Sequence, residues 1–164
     1  MIVSFSRKNR GSVKKILVFF TLLSLSLISL GQTQTFTASG SYTVPAGVTS
    51  LIIECWGAGG GGSTRTSDGT FTGGGGGGGA YARSTITVTP GNAYNFIVGT
   101  GGAASSNGGN SSFNATSVVA AGGRGGTNNS ATAGSGGSTA SSTGTLLYAG
   151  GNGANGTASI PPKL

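Results

Sequence analysis

The chain contains no histidine and one cysteine, and its only acidic residues are Glu54 and Asp68. Without an imidazole, neither a Ser-His-Asp nor a Cys-His nucleophile system can be assembled. A glycosidase-like carboxylate pair requires both acids in one pocket, yet Glu54 falls in an apolar run and Asp68 in a glycine-rich stretch. No clustering of His, Cys, Asp or Glu offers a metal shell, so the inventory points to a non-enzymatic chain with no metal and no cofactor. A lone Cys55 excludes an internal disulfide. Its place within Leu51–Trp56 reads as a small buried hydrophobe. No cysteine stands directly after the N-terminal apolar segment, which argues against lipid attachment.

Long hydrophobic runs are also missing. The longest, Ile16 to Leu30, is interrupted by Ser24, Ser26 and Ser29 and is shorter than the ~20 residues of a spanning helix. Arg7, Lys8, Arg10, Lys14 and Lys15 precede it, and Ser29-Leu30-Gly31 places small residues at −3 and −1 relative to Gln32. Basic flank, short apolar segment and small-residue site predict a signal peptide over residues 1–31, cleaved before Gln32. The expected product is secreted or held at the cell surface, with no membrane span after cleavage. The formal charge of +7 then shrinks, because Arg65, Arg83, Arg124 and Lys163 face two acids, a net charge of +2. These scattered cations provide no patch for nucleic acid, which needs clustered Lys and Arg to displace counterions.

What the chain does have is glycine. Gly73 to Gly79 are seven in succession, and Gly57-Ala58-Gly59-Gly60-Gly61-Gly62 follows directly on Leu51–Trp56. Ordering a glycine costs roughly 1–2 kcal/mol of backbone entropy, against a net return of ~1 kcal/mol per hydrogen bond. Such a run stays ordered only if neighbouring segments hold it in register. Collagen is excluded, since glycine does not recur at every third position. The formal G-x-G-x-x-G match at Gly57–Gly62 lacks a following helix, and Asp68 comes too early for a dinucleotide site. The remaining ordered form is polyglycine II, an extended helix with three residues per turn, whose lack of Cβ permits close packing. Gly73–Gly79 is expected to be a packing element, with the clusters at 57–62 and 122–126 as partners.

Elsewhere the pattern is β. Gly40 to Val44, Ser50 to Trp56, Ala80 to Thr89 and Ala93 to Val98 read as strands separated by Pro45-Ala46-Gly47 and Pro90-Gly91-Asn92 turns. In the third, Ala82, Ser84, Ile86 and Val88 share one face. Residues 80–98 read as a hairpin. No segment after Leu30 shows a helical apolar period, so the expected fold is all-β, an antiparallel β-sandwich with glycine-rich loops. Large apolar residues concentrate before residue 99, which places the main β core in 32–99, with the polyglycine insert 57–79 and a Gly/Ser/Asn-rich extension over 100–164. Leu51–Gly60, Val118–Gly123 and Leu146–Gly151 share a plan, a β-prone stretch followed by glycines. Trp56, at such a junction, is expected to pack the sandwich against the glycine region. The structural residues expected to matter are Trp56, Gly57, Gly59, Gly60, Gly73, Gly76 and Gly79. Asn110, Asn114, Asn128 and Asn155 begin N-x-[ST] acceptor sequences, which a chain rich in Asn, Ser and Thr also produces by chance.

The stretches Gly40-Ser41-Tyr42-Thr43-Val44-Pro45-Ala46-Gly47-Val48 and Ile53-Glu54-Cys55-Trp56-Gly57-Ala58-Gly59-Gly60-Gly61 resemble the extracellular glycine-rich domain family. Gly108-Gly109-Asn110-Ser111-Ser112-Phe113 and Ala120-Ala121-Gly122-Gly123 are similar to its bacterial version. Exported bacterial surface proteins and phage fibre-tip adhesins belong to that family, and the anaplastic lymphoma and leukocyte tyrosine kinase receptors carry a related domain. The resemblance implies a β-sandwich with packed polyglycine II helices and a structural or adhesive role. Bacterial relatives continue through further glycine repeats and often a C-terminal sorting module. This chain stops at Ile160-Pro161-Pro162-Lys163-Leu164, which reads as either truncation or release. The alternative role is recognition of a receptor protein or a glycan, with Arg65 and Phe71 as loop candidates; self-association is a further partner class. A more distant one is ice binding through Thr85, Thr87 and Thr89.

Overall fold

The computed structural model describes residues 31–64 and 72–157. Residues 1–30 of the expected leader, the loop candidates Arg65 and Phe71, and Asp68, Ile160 and Lys163 lie outside the described residues. Among those described, no helix is long and apolar enough to cross a membrane.

The described residues form seven strands in chain order: β1 (Gly40–Thr43), β2 (Ser50–Trp56), β3 (Tyr81–Thr87), β4 (Ala93–Ile97), β5 (Ser111–Phe113), β6 (Val118–Ala120) and β7 (Leu146–Tyr148). One 3₁₀ turn spans Thr139–Ser141 and is capped by Ser138, whose side chain accepts from the Ser141 N–H. The strands form two antiparallel sheets, ordered β1-β4-β5-β6 and β2-β3-β7. β2 and β3 lie against β5 and β6 of the opposite sheet. The fold is therefore all-β, an antiparallel sandwich, as the alternation in the sequence implies.

Alternation decides which side chains enter the core. In β3, Ala82 and Ser84 are buried and Ile86 half-buried, while Arg83, Thr85 and Thr87 face outward. The core joins Cys55 and Ala82 to Phe113, Val118 and Ala120, with Leu51, Ile53, Ile86, Tyr94, Phe96 and Leu147 packed around them. It is thin, because two of its five central members are alanines. Val44 and Val118 are the largest side chains buried completely. Three of its five central members lie after residue 99, while most of the residues packed around them lie before it. β5 and β6 complete one sheet and β7 the other. Few large residues suffice where small ones let the sheets approach.

One expectation is corrected: residues 80–98 are not a hairpin. β3 pairs with β2 and β7, whereas β4 pairs with β1 and β5, so the turn between them crosses from one sheet to the other. Gly91, at φ +82°, supplies the left-handed residue the turn requires. The Gly91 N–H donates to the Val44 carbonyl at 2.8 Å, and the Val44 N–H donates to the Asn92 carbonyl at 2.9 Å. The turn closes through the Asn92 N–H, which donates to the Thr89 carbonyl at 3.1 Å, and is at the same time tied to the end of β1.

The loose internal repeat has a structural counterpart. β2 leads into 57–63, β6 into 121–127 and β7 into 149–157, while 73–80 leads into β3. Glycine segments are continuations of strands, so sheet pairing brings them out side by side.

Candidate functional site

The glycine segments bond to one another every third residue. Gly57, Gly60 and Ser63 donate to the carbonyls of Ala80, Gly77 and Gly74 at 2.8 Å. Thr72, Gly75 and Gly78 donate to Thr157, Ala154 and Gly151, also at 2.8 Å. Gly77 and Ala80 donate to Arg124 and Ala121, and Gly134 and Gly137 donate back to Gly75 and Gly78. Segment 73–80 is therefore bonded to four others: 57–63, 121–127, 130–138 and 149–157. The outer pairs keep the same interval, with Gly150, Gly153 and Gly156 donating to Gly137, Gly134 and Ala131. A β-ladder repeats every two residues; a three-residue repeat means that successive residues address different neighbours.

The same interval decides where a side chain fits. A Cβ on Gly73 would meet the Ser63 carbonyl, one on Gly76 the Gly60 carbonyl, and one on Gly79 the Gly57 carbonyl, all inside van der Waals contact. Gly74 and Gly77 in turn press on the backbone at Thr132 and Ser135. At Gly78 the nearest atoms, on Gly151, stand 3.5 Å away, an ordinary contact. Among the described glycines only Gly47 and Gly91 have positive φ. The glycine runs are thus required for the missing Cβ and not for a left-handed backbone.

The structure brings together Gly57 with Gly79 and Gly60 with Gly76. A Cβ on Gly57 or Gly60 would in addition strike the carbonyl of Ala121 or Arg124. Gly59 differs from the others: it is exposed, and a Cβ there would stand 3.7 Å from the Gly77 carbonyl.

Four asparagines escaped sequence reasoning in this role. The Oδ1 atoms of Asn107 and Asn110 accept from the N–H groups of Gly125 and Gly122 at 3.0 and 2.9 Å. Those of Asn155 and Asn152 accept from Ala133 and Gly136, both at 2.9 Å. Each pair is spaced by three, so a side-chain amide takes the place of a backbone carbonyl where no further segment is available. The N-x-x-N spacing in Asn107–Asn110 and Asn152–Asn155 is the signal that would have revealed them. Along the outside of 121–127, a half-open polar hollow of about 540 Å³ is lined by Asn107, Asn110, Arg124, Ser135 and Ser138.

Trp56 is a correction. It does not pack between sandwich and glycines but stands 61% exposed. Leu51, Ile53 and Cys55 of β2 turn inward, so strict alternation sends Ile52, Glu54 and Trp56 out. There Trp56 lies opposite Tyr81, and Tyr81 opposite Tyr148, with ring centroids 5.2 and 6.0 Å apart. In the next row Glu54 lies opposite Arg83, with Arg83 Nε 3.7 Å from Glu54 Oε1. Tyr81 Oη donates to the same oxygen at 2.7 Å. That bond raises the Tyr81 pKa above its ordinary value, because ionisation would place two negative oxygens in contact. Burial separately pushes the Cys55 thiol up to about 11, as befits an unreactive core group.

Among curated proteins no match is found. A family model described as a glycine-rich domain matches residues 33–161. Strand, glycine segment and strand follow one another through the described part of that span, and the chain belongs to the glycine-rich domain family.

Proposed function

We propose that this chain is an exported, non-enzymatic structural or adhesive module of a cell surface. In this reading its glycine segments pack as polyglycine II helices into a rigid block at one end of a β-sandwich. One observation carries it: hydrogen bonds between glycine segments recur every third residue, with steric room for hydrogen alone at Gly76 and Gly77. Three residues per turn is the repeat of this helix class. A block held by backbone amides and carbonyls has no group that titrates near neutrality and few that salt screens. Those are useful properties outside a cell, where neither pH nor ionic strength is controlled.

Two measurements test the two halves of the proposal. Mass spectrometry of the exported protein should find its N-terminus within a few residues of Gln32; an intact Met1 on the mature product contradicts export. For the block, Gly77→Ala should destabilise and Gly78→Ala should not, although the two positions are adjacent. Equal tolerance at both would remove the packed-helix reading.

A further inference from the structure

We propose that the outer face of the β2-β3-β7 sheet binds a neutral glycan chain, with Trp56, Tyr81 and Tyr148 as the stacking surface and Glu54 with Arg83 as the polar anchor. The inference rests on the adhesive part of the reading above and names the ligand class.

Exposure on this face is not scattered. Trp56 and Tyr148 are 61% and 60% exposed and flank Tyr81 in direct cross-strand register. An apolar ring in water gains by covering, and an aromatic face accepts the C–H side of a pyranose. The centroid separations of 5.2 and 6.0 Å are close to the length of one sugar unit in an extended chain. One row away, Tyr81 Oη and Arg83 Nε are both directed at Glu54 Oε1. The other carboxylate oxygen and the terminal nitrogens of Arg83 have no partner among the described residues. An acid and a guanidinium side by side accept from and donate to vicinal hydroxyls, which is the polar complement a sugar ring presents.

Charge and shape narrow the occupant. Glu54 and Arg83 cancel, so the face offers no field to attract a phosphate backbone or an acidic polysaccharide. The three rings are not coplanar, with planes tilted by 58° and 33° from neighbour to neighbour. A flat crystalline surface cannot touch all three at once. A single soluble chain whose successive units turn can.

The test uses the full chain. Affinity electrophoresis through gels containing hydroxyethyl cellulose, laminarin or xylan should retard it in at least one, whereas an alginate gel should not. Titration with the matching oligosaccharide should produce a saturable change in tryptophan fluorescence, since Trp56 is the single tryptophan. Trp56→Ala and Tyr148→Ala should each weaken retention by roughly tenfold or more, with circular dichroism unchanged because both side chains are exposed. Absence of retardation in every neutral gel overturns the proposal, as does retention that survives both substitutions. Retardation in alginate alone would assign the interaction to charge. Concentration-dependent dimerisation that Trp56→Ala abolishes would assign the face to a second copy of the chain. Both outcomes count against a glycan. None of them touches the glycine block, whose amide protection should be the same in Trp56→Ala and the parent.

Discussion

At the scale of single residues, adjacent glycines carry different demands. A methyl group on Gly77 is driven into the carbonyl of Ser135, and overpacking of this kind costs about 1–3 kcal/mol. On Gly78 it meets only ordinary contacts, and restricting the unfolded chain should leave stability unchanged or raised by about 0.4–1 kcal/mol. Chemical denaturation of the two alanine variants measures the contrast. Trp56→Ala should be mild: an exposed aromatic partner contributes about 0.5–1.5 kcal/mol, well short of the ~3–5 kcal/mol of a buried tryptophan. A loss in the larger range would contradict its placement on the outer face. For Cys55 the sign follows from a raised folded-state value. The folded protein holds the thiol proton more tightly than the unfolded chain, whose value lies near 9.0. That contribution is fully present below about pH 9 and is lost as pH rises towards about 11. Thermal stability should fall across that window, and Cys55→Ala should shrink the decline.

At the scale of elements, strands were legible and their partners were not. Alternation in β3 assigned Ala82, Ser84, Ile86 and Val88 to one face, and the structure agrees that they turn inward. Pairing depends on contacts between residues distant in sequence, and nothing local in Pro90-Gly91-Asn92 distinguishes a hairpin from a crossing between sheets. The same limit explains Trp56. Its alternation with Cys55 was visible, but its position at the glycine junction suggested burial. Short strands were also undervalued, because Val118 and Phe113 stand among small polar residues in the sequence. Val118 is fully buried, so Val118→Ala should cost about 2–3 kcal/mol. A change close to zero in a denaturation curve would show that the second half does not share the core. Asparagine roles could not be read from acceptor sequences. Their meaning lies in a three-residue spacing against a neighbouring segment, and the neighbour is known only once the chain has folded. Asn110→Ala should remove an exposed hydrogen bond worth about 0.5–1.5 kcal/mol.

At the scale of the whole molecule, two periodicities are joined end to end. Strands repeat every two residues and bury side chains; glycine segments repeat every three and bury backbone. The second has almost no side-chain contribution to lose, so its stability depends on many segments being held in register at once by the sandwich. Seven glycines alone are marginal, as the entropy and hydrogen-bond terms nearly cancel; continued into a paired strand and bonded to four neighbouring segments, they are held. Described ion pairing is confined to the half-exposed Glu54–Arg83 contact, of a kind that contributes about 0–1 kcal/mol. The melting temperature should accordingly be nearly the same at low and high ionic strength.

Amide hydrogen exchange across 73–80 tests the central claim most directly. Gly75, Gly77, Gly78 and Ala80 donate to four different carbonyls at 2.8–2.9 Å, while the Gly76 N–H has no backbone acceptor among the described residues. The packed arrangement predicts slow exchange at those four positions and faster exchange at Gly76, a pattern that recurs every third residue. Uniformly fast exchange from Gly73 to Gly79 would identify the run as a flexible linker and contradict the account.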